Sequence, residues 1–486
     1  MTNVKEPTLF TGADLLRLKY IDAVGFDASS DLRLASVSTD TRRPEPGSLF
    51  VALRGSTFDG HNFLTRAVSQ GARAVILEHT WAENNPPLFA SLVVPRLVVE
   101  NTSRALGDLA RLHRRRFRIP ILAVAGSNGK TTTKDMIARV LAERHKVLST
   151  EGNLNNHIGV PHTLFRLNGT HQCAVVEIGT NHFGELTYLC DILEPTHGLV
   201  TNIGNEHLEF FRNLAGVARA EGELISWLRE HRPHTATLYL NRDDKHLLRM
   251  TKTFKKKISY GINSRTADVR AAYASQTSGG NPILHVIPKA RKPFDVELRV
   301  PGLHNARNAL AAATVGLAFR VPPRRIQNAL SSFQAASKRM ELLEVQGVTI
   351  LNDTYNSNPD SMRAALDTLC SLETRGKRVA VLADMLELGP AAEREHRNVG
   401  RLLKRAGITY LLTYGPLSRL TNVAAVVHFK AHYDQKNVLA EYLSELLGAG
   451  DVVLIKGSRG MKMEDVVTFI RERLERGSAG REIRTA

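Results

Sequence analysis

Cysteine is scarce in this chain, with only three among 486 residues. Cys173, Cys190 and Cys370 are too few for a disulfide framework, and their spacing matches no metal-binding motif. No uninterrupted apolar run approaches the ~20 residues needed to cross a bilayer, and the first residues lack the apolar segment of a secretory signal. These absences argue against a disulfide-rich secreted protein and a membrane-spanning protein. They predict a cytoplasmic protein with reduced thiols.

Acidic residues are few relative to basic ones, with 48 Asp and Glu against 65 Lys and Arg and a formal net charge of +17 at pH 7. Such an excess suggests a nucleic-acid-binding protein. However, the basic runs His113–Arg116 and Lys255–Lys257 are short and contain no interleaved aromatic residues. The charge is therefore interpreted as a solvated basic surface, which would also favour a polyanionic small substrate.

The length and composition predict a globular α/β protein of about three domains. Hydrophobic residues make up 43% of the chain and charged residues 23%, as in ordinary globular proteins. We expect domains at residues 1–100, 101–318 and 319–486, the last two with alternating strands and helices. Strands are predicted at Ala74–Leu77, Leu97–Glu100, Leu122–Ala125, Cys173–Ile178, Gly198–Thr201, Val348–Asn352, Arg378–Leu382, Tyr410–Thr413 and Val452–Ile455.

One short segment indicates phosphate binding. An apolar run, Ile121–Ala125, leads into Gly-Ser-Asn-Gly-Lys-Thr at Gly126–Thr131, and helical periodicity follows. In this arrangement backbone N–H groups and a helix N-terminus bind an anion, Lys130 reaches the β- and γ-phosphates, and Thr131 offers its hydroxyl to Mg²⁺. The alternative is a tight glycine turn before an ordinary helix, because Val124 stands where the usual motif has its first glycine.

Polar residues also follow two other strands of the predicted central domain. Glu177 lies near the end of Cys173–Ile178, and His207 follows Gly198–Thr201. Open α/β sheets bind ligands at the carboxyl ends of their strands. There, Glu177 can hold Mg²⁺ directly or through water. The alternatives are a solvent-facing glutamate and an ordinary loop histidine.

Two further polar concentrations follow strands of the predicted third domain. Asn352–Pro359 is dense in hydrogen-bonding groups, and Lys456–Gly460 follows the last predicted strand. Each could be an ordinary turn between a strand and a helix. Two such loops facing a phosphate loop across a domain boundary predict a site in a cleft.

In their order along the chain, these segments resemble the Mur ligases, ATP-dependent amide ligases that build the peptide of bacterial peptidoglycan. The resemblance extends along nearly the whole chain, and the shorter phosphate loop of that family accounts for Val124. The motifs that carry it are Ser38–Arg42, Gly47–Gly55, Gly126–Thr132, Gly152–Asn156, Glu177–His182, Asn202–Leu208, Pro301–Asn308, Asn352–Asn358, Ala383–Gly389 and Lys456–Arg459.

The resemblance implies a small N-terminal α/β substrate domain, a central P-loop ATPase domain with a parallel sheet, and a Rossmann-like C-terminal domain. Within the family it is strongest to the members that add D-alanyl-D-alanine to UDP-N-acetylmuramoyl-tripeptide through an acyl phosphate, and Ala383–Gly389 favours them. We expect ATP and Mg²⁺ as cofactors, a monomer, no nucleic-acid partner and no membrane span.

Two alternatives stay open. The preceding family member, which adds the third amino acid, usually carries an Asp-Asn-Pro-Arg stretch that is absent here. A nucleic-acid-binding P-loop ATPase, suggested by the charge, would hydrolyse ATP in response to DNA or RNA with a steep salt dependence.

The resemblance also implies roles for individual residues. The catalytic residues would be Lys130, Glu177 and His207. ATP would be bound by Gly126, Ser127, Asn128, Gly129, Lys130, Thr131, Thr132, Asn308, Arg339, Asp353, Tyr355 and Asn356. The UDP-sugar peptide would contact Thr41, Asn155 and Asn156, and the dipeptide would contact Asp384, Lys456 and Arg459. Mg²⁺ would be held by Thr131, Glu177, His207 and Glu221.

Glu221 marks a departure from the family pattern. Many members place a lysine on the helix after the His207 loop, where carbon dioxide converts it to a carbamate that holds a second Mg²⁺. Here Glu221 stands at that position, and no lysine occurs between Lys146 and Lys245. We hypothesise that Glu221 supplies the anionic oxygens itself, through water because its side chain is shorter. The alternative is that it pairs with Arg219 or caps a turn.

Overall fold

The computed structural model describes residues 8–18, 21–26, 31–277, 279–404 and 407–482. Strands and helices alternate along much of this part of the chain. The strands are β1 (Phe10–Thr11), β2 (Ile21–Val24), β3 (Arg33–Leu34), β4 (Val37–Ser38), β5 (Leu49–Val51), β6 (Ala74–Glu78), β7 (Arg96–Val99), β8 (Ile121–Ala125), β9 (Val147–Ser149), β10 (Cys173–Glu177), β11 (His197–Val200), β12 (Thr237–Asn241), β13 (Lys257–Gly261), β14 (Val269–Gln276), β15 (Pro282–Pro288), β16 (Phe294–Glu297), β17 (Glu341–Val345), β18 (Val348–Asp353), β19 (Arg378–Ala383), β20 (Tyr410–Tyr414), β21 (Phe429–Tyr433) and β22 (Val452–Lys456).

The helices connect these strands and cover their sheets. Within the described ranges, no helix combines the length and apolar character that a bilayer crossing requires. The helices are α1 (Gly12–Leu15), α2 (Leu64–Ser69), α3 (His79–Asn84), α4 (Pro86–Ser91), α5 (Thr102–Arg114), α6 (Lys130–Ala142), α7 (Gly159–Phe165), α8 (Glu185–Leu193), α9 (Leu208–Phe211), α10 (Leu214–Glu221), α11 (Glu223–His231), α12 (Lys245–Met250), α13 (Leu303–Ala318), α14 (Pro323–Ser331), α15 (Pro359–Ser371), α16 (Ala392–Leu403), α17 (Ser418–Ala424), α18 (Lys436–Leu446) and α19 (Glu464–Glu482), with short 3-10 helices at Gly60–Phe63, Gly389–Ala391 and Arg459–Met461.

The strands predicted from the sequence are confirmed, each to within one residue at either end. Every residue of β8 and β10 is buried. Strands of a parallel sheet are covered on both faces, and their sequences are therefore continuous apolar runs. Such runs are visible in the sequence without any structural knowledge.

The chain divides into two compact units. The first contains the described residues up to Leu122 together with Lys146–Gly179 and Glu185–Pro195. The second contains Ala123–His145, Thr180–Gly184 and the described residues from Thr196 onward.

The first unit contains a five-stranded sheet in the order β2-β7-β6-β5-β4. Strands β4 to β7 are parallel, and β2 pairs with β7 in the antiparallel direction. Alternate residues of β5 enter different clusters: Leu49 and Val51 join one, and Phe50 joins the other. The sheet is therefore buried on both faces. In the same unit β9 and β10 form a parallel pair that ends near Glu177.

The second unit contains two sheets. In the first, β11 to β14 are parallel, and β15 and β16 are added in the antiparallel direction. The end of β8 lies beside β11, since the Thr201 N–H donates to the carbonyl oxygen of Ala125 at 2.9 Å.

The other sheet of the second unit has six strands in the order β17-β18-β22-β19-β20-β21, with only β17 antiparallel to its neighbour. A cluster that includes Ile350, Val381 and Ile455 forms its core. We call residues 338–464, which contain this sheet, the C-terminal region. Because β18, β19 and β22 are parallel, their carboxyl ends at Asp353, Ala383 and Lys456 lie at one edge.

Candidate active site

The segment between β8 and α6 has the conformation of a phosphate-binding loop. Gly126 has a φ of +115° and Gly129 a φ of +79°, a region that favours glycine. A Cβ on Gly126 would lie 2.3 Å from Oγ1 of Thr201, and one on Gly129 would lie 2.7 Å from Oδ1 of Asn308. Both conformation and space therefore require glycine at these positions. The predicted order of strand, glycine loop and helix is confirmed.

The loop after β11, residues 201–207, braces the phosphate loop, and we call it the bracing loop. Thr201 Oγ1 and Asn202 Nδ2 donate to the carbonyl oxygen of Asn128 at 2.7 and 2.8 Å. The Asn128 N–H donates to Oδ1 of Asn202 at 3.1 Å, and the Gly204 N–H donates to Oγ of Ser127 at 2.8 Å. These bonds fix the phosphate loop in one shape, which reduces the ordering cost of binding.

Lys130 begins α6, and its ammonium group lies among oxygen atoms. Its Nζ donates to the carbonyl oxygen of Gly126 at 2.6 Å and lies 3.4 Å from Oε2 of Glu206. Thr131 and Thr132 follow it in the first turn of the helix, where the macrodipole is positive. This end of α6 therefore presents positive charge and backbone donors, as a phosphate site requires.

Two buried carboxylates lie beside the phosphate loop. Glu206, on the bracing loop, is 6% exposed, and Glu221, at the end of α10, is 1% exposed. The Gly126 N–H donates to Oε2 of Glu221 at 2.6 Å, and the carboxyl group of Glu206 is within hydrogen-bonding reach of Glu221. Burial raises the pKa of Glu221, which the charge of Lys130 partly offsets.

Each of these carboxylates leaves one oxygen unsatisfied. Oε1 of Glu206 and Oε1 of Glu221 are buried and no N–H or O–H donor of the described residues reaches them, although the two carboxyl groups lie within hydrogen-bonding reach of each other. Buried polar atoms almost always have partners, so such atoms indicate a ligand. Glu221 does not pair with Arg219, the alternative named in the sequence analysis. The Arg219 guanidinium instead stacks over the Phe183 ring at 3.8 Å.

His207 lies at the start of α9 in the left-handed conformation, with a φ of +47°. Its Nδ1 lies 2.6 Å from Oε2 of Glu387, an ion-pair contact outside hydrogen-bond geometry, and its Nε2 lies 3.9 Å from Oε2 of Glu206. The contact with His207 lowers the pKa of Glu387. The imidazole is thus held between two carboxylates.

Glu177 ends β10 in the first unit and is 2% exposed. Its Oε1 accepts from Nδ2 of Asn155 at 2.8 Å, and its N–H donates to Oγ1 of Thr150 at 2.9 Å. Its Oε2 is buried and has no hydrogen-bond partner in the described part of the chain. In the same unit the side chain of Asn156 accepts from backbone N–H groups at the start of α7, and Thr41 is buried after β4.

A buried lysine stabilises the polar loop after β18 by hydrogen bonds. Lys456, 1% exposed, donates to Oδ2 of Asp353 at 2.6 Å and to the carbonyl oxygen of Asn356 at 2.8 Å. The Met340 N–H donates to Oδ1 of Asp353 at 3.1 Å. Both oxygens of Asp353 therefore have protein partners, and Lys456 stabilises the loop.

The structure brings several other predicted residues together. The Arg339 guanidinium carbon lies 3.6 Å from the centroid of the Tyr355 ring, and that of Arg459 lies 5.6 Å from it. These are cation–π contacts. Asn308 lies beside Gly129, and its Nδ2 donates to Oδ1 of Asn305 at 3.2 Å.

Asp384 has a structural role. Its Oδ1 accepts from the N–H and the hydroxyl of Ser418, each at 2.7 Å, and its Oδ2 accepts from the Leu417 N–H at 3.3 Å. These bonds satisfy donors at the start of α17. The predicted contact of Asp384 with a dipeptide stays a prediction.

The C-terminal region contacts both the phosphate loop and the bracing loop within the second unit. Asn358 Nδ2 donates to Oδ1 of Asn128 at 2.9 Å, and the Asn205 N–H donates to Oδ2 of Asp360 at 2.7 Å. The polar loops of this region therefore meet the phosphate loop.

Sequence reasoning missed Glu206, Asp360 and Glu387. Each lies within or beside a motif that carries the resemblance. The available signal was a carboxylate in such a motif, but the sequence alone does not tell which carboxylates are buried.

Three models of Mur ligase domains match consecutive parts of the chain. They are described as "Mur ligase family, catalytic domain" at residues 33–114, "Mur ligase middle domain" at 124–316 and "Mur ligase, glutamate ligase domain" at 338–459. The UDP-N-acetylmuramoyl-tripeptide--D-alanyl-D-alanine ligase of Escherichia coli (strain K12) is 37% identical over 448 residues, covering 91% of this chain and 95% of that protein. The chain belongs to the Mur ligase family.

Solved structures support the same relationship for this Mur ligase. MurF from Acinetobacter baumannii aligns with a TM-score of 0.85 and 29% identity, covering 95% of this chain and 99% of that one. MurF from Thermotoga maritima, in complex with ADP, aligns with a TM-score of 0.78 and 25% identity, covering 91% and 98%. The three-domain α/β architecture with mostly parallel sheets is confirmed.

Proposed function

We propose that this Mur ligase is an ATP-dependent amide ligase that joins D-alanyl-D-alanine to UDP-N-acetylmuramoyl-tripeptide in peptidoglycan precursor synthesis. Relatives from Escherichia coli and Bacillus subtilis, 37% and 35% identical, carry the name of that activity. The structural observation that best supports it is the contact of Asn358 with the phosphate loop and of Asp360 with the bracing loop. Groups from two matched domains thereby surround one nucleotide-binding segment.

The reaction brings several anions together, so positioning and charge neutralisation supply most of the catalysis. The terminal carboxylate of the tripeptide attacks the γ-phosphorus of ATP, giving an acyl phosphate and ADP. The amine of D-alanyl-D-alanine then attacks the acyl carbon, forming the amide with loss of phosphate and a proton. Lys130 and the N-terminus of α6 supply the positive charge that the phosphates need.

The nucleotide is assigned to the phosphate loop and to groups around it. Asn308 is proposed to contact adenine, and its place beside Gly129 supports a role at this site. The Arg339 guanidinium, which precedes β17, stacks on Tyr355 of the loop after β18, and this supports a role for its charge near the phosphates. The full set proposed to bind ATP is Gly126, Ser127, Asn128, Gly129, Lys130, Thr131, Thr132, Asn308, Arg339, Asp353, Tyr355 and Asn356.

The two other substrates are assigned to different elements. The UDP-sugar peptide is proposed to contact Thr41, Asn155 and Asn156, and the dipeptide is proposed to contact Asp384, Lys456 and Arg459. Arg459 is exposed, whereas Asp384 and Lys456 are buried with protein partners. We therefore propose that Asp384 and Lys456 shape the loops around the dipeptide and that Arg459 meets its charge.

We propose Mg²⁺ as the cofactor, held by Thr131, Glu177, His207 and Glu221, and we add Glu206 to this set. The residues beside the phosphate loop fit the ion, because Glu206 and Glu221 each have a buried oxygen that no described N–H or O–H donor reaches. The assignment of Glu177 rests on the resemblance. Mg²⁺ prefers oxygen ligands and commonly combines one or two carboxylates with substrate phosphates. When bound, the ion neutralises phosphate charge. A bound cation favours the carboxylate form of the carboxyl groups beside it, so Glu206 and Glu221 would supply the oxygens that a carbamate supplies in other members.

We also propose that the protein is a cytoplasmic monomer. Its three cysteines are free thiols, with Cys173 and Cys190 buried and Cys370 half-buried, which suits a reducing compartment. Light scattering on the purified protein measures the oligomeric state.

Phosphate release tests the proposed activity. The assay uses UDP-N-acetylmuramoyl-tripeptides that end in meso-diaminopimelate or in lysine, each with and without D-alanyl-D-alanine, and Lys130→Ala is the inactive control. We expect release that requires the dipeptide, and the preferred tripeptide identifies the third residue. Release that requires a free amino acid would assign the preceding ligase instead. ATP hydrolysis that responds only to DNA or RNA would assign a nucleic-acid-dependent ATPase.

A further inference from the structure

The contact between Glu387 and His207 joins the C-terminal region to the bracing loop. We propose that Glu387 is a positioning residue that orients the His207 imidazole of the bracing loop. This inference rests on the proposed function and deepens it, since Glu387 itself touches no predicted substrate group.

Two contacts join the segments that carry these residues. Oε2 of Glu387 lies 2.6 Å from Nδ1 of His207, and the carbonyl oxygen of Glu387 accepts from the Glu209 N–H at 3.1 Å. A Cβ on Gly389 would lie only 3.0 Å from the Cα of Glu209. The backbone contact and the close approach place the Glu387 carboxylate against the imidazole.

The segment that carries Glu387 is itself firmly held. Asp384 accepts a hydrogen bond from the Ser418 N–H. The Met385 N–H donates to Nε2 of His396 at 3.0 Å, and the Leu386 N–H donates to Oγ of Ser458 at 2.8 Å. Glu387 therefore projects from a supported turn. A group on a supported turn can fix the orientation of its partner.

The ion pair determines which nitrogen of His207 is available. Nδ1 faces Glu387, and Nε2 is on the side of Glu206, 3.9 Å from Oε2 of that residue. The contact is an ion pair outside hydrogen-bond geometry, so Glu387 acts by its charge: it favours a proton on Nδ1 and attracts that side of the ring, which leaves the other nitrogen free to bind a ligand. Without Glu387 the ring loses this restraint.

The backbone of the bracing loop has a separate support. The Asn205 N–H donates to Asp360 at 2.7 Å, and Ser127 and Asn128 hold the other side of the loop. A change at Glu387 leaves these bonds in place. We therefore expect Glu387 variants to fold, with the effect confined to the imidazole.

The first test compares Glu387→Ala and Glu387→Gln with Glu209→Gln, a matched loss of charge on an exposed neighbour. The readouts are the affinity for Mn²⁺ in the presence of a non-hydrolysable ATP analogue, kcat, and the KM for D-alanyl-D-alanine. For Glu387→Ala we expect Mn²⁺ affinity and kcat to fall about 10–100-fold with KM unchanged, as for other carboxylates that orient a ligating histidine. Glu387→Gln is expected to be intermediate, and Glu209→Gln to match the unmodified protein.

The second test combines Glu387→Ala with His207→Ala. If Glu387 acts through His207, the double variant loses no more Mn²⁺ affinity or kcat than His207→Ala alone. The inference would be overturned if the fold losses of the two single variants multiplied in the double variant. It would also be overturned if Glu387→Ala or His207→Ala alone left Mn²⁺ affinity and kcat unchanged. The Mn²⁺ titration needs no UDP-linked substrate, so it separates this inference from a failure of the proposed ligase activity.

Discussion

Carboxylates on the two sides of the candidate site are satisfied to different extents. Beside the phosphate loop, Glu206 and Glu221 lie close to each other, and each has one buried oxygen that no N–H or O–H donor of the described residues reaches. In the C-terminal region, Asp353 and Asp384 have partners at both oxygens. An unsatisfied buried polar atom costs about 1–3 kcal/mol. The first pair therefore indicates a ligand, whereas the second pair stabilises the fold.

The largest expected effect tests whether the carboxylates of the C-terminal region stabilise the fold. Lys456→Met leaves Asp353 without its cation, and breaking a buried ion pair costs about 3–5 kcal/mol. We expect the free energy of unfolding in urea to fall by that amount. The control is Lys462→Met, which alters an exposed lysine of the same region. A Lys456→Met protein of unchanged stability would contradict the assigned role.

The next largest effect tests whether the carboxyl groups beside the phosphate loop bind a ligand. Glu221→Gln removes an anionic oxygen beside the phosphate loop, so we expect the Mg²⁺ concentration for half-maximal activity to rise about 10–100-fold. Without nucleotide or Mg²⁺, the free energy of unfolding should increase, because burial raises the pKa of Glu221 and this costs stability at neutral pH, whereas an amide does not ionise. The metal role of Glu221 would be contradicted by a Glu221→Ala protein that keeps full activity and whose activity does not change when free carboxylates are added.

The smallest effect concerns the strand that leads into the bracing loop. Burial lowers the pKa of His197, at the start of β11, to about 4 from an ordinary value of 6.5. The unfolded chain therefore binds a proton more readily than the folded one, and stability falls as pH decreases below about 6.5. From this residue we expect a loss of about 1 kcal/mol between pH 7 and pH 5.5.

The matched variant is His197→Phe, because the native ring lies among Tyr239 and Phe319. Urea unfolding at the two pH values should show a smaller acid loss for the variant. An equal loss in both proteins would assign the acid sensitivity to other groups.

The sequence predicted the strands and the phosphate loop because their signals are local. A buried parallel strand such as β10 needs a continuous apolar run, and the turn at Gly126 needs a residue without a Cβ. Both requirements can be seen in a few consecutive letters.

The parts that could not be predicted depend on contacts between distant segments. Glu206, Asp360 and Glu387 look like ordinary charged loop residues, and only the folded chain shows which groups they meet. Asp384 shows the same limit, since the sequence did not reveal that both of its carboxylate oxygens accept hydrogen bonds at the start of α17. Residue type indicates what a side chain can do, but burial and partners decide its use.

The hydrogen bond from Gly126 to Glu221 has a consequence for the order of binding. A loop shaped to receive anions already donates one of its N–H groups to a buried carboxyl group whose pKa is raised by burial. An incoming triphosphate alone further disfavours the charged form of that carboxyl group, whereas a divalent cation between them favours the carboxylate and is attracted on both sides. Nucleotide and cation are therefore expected to bind cooperatively, each strengthening the affinity for the other by the same factor.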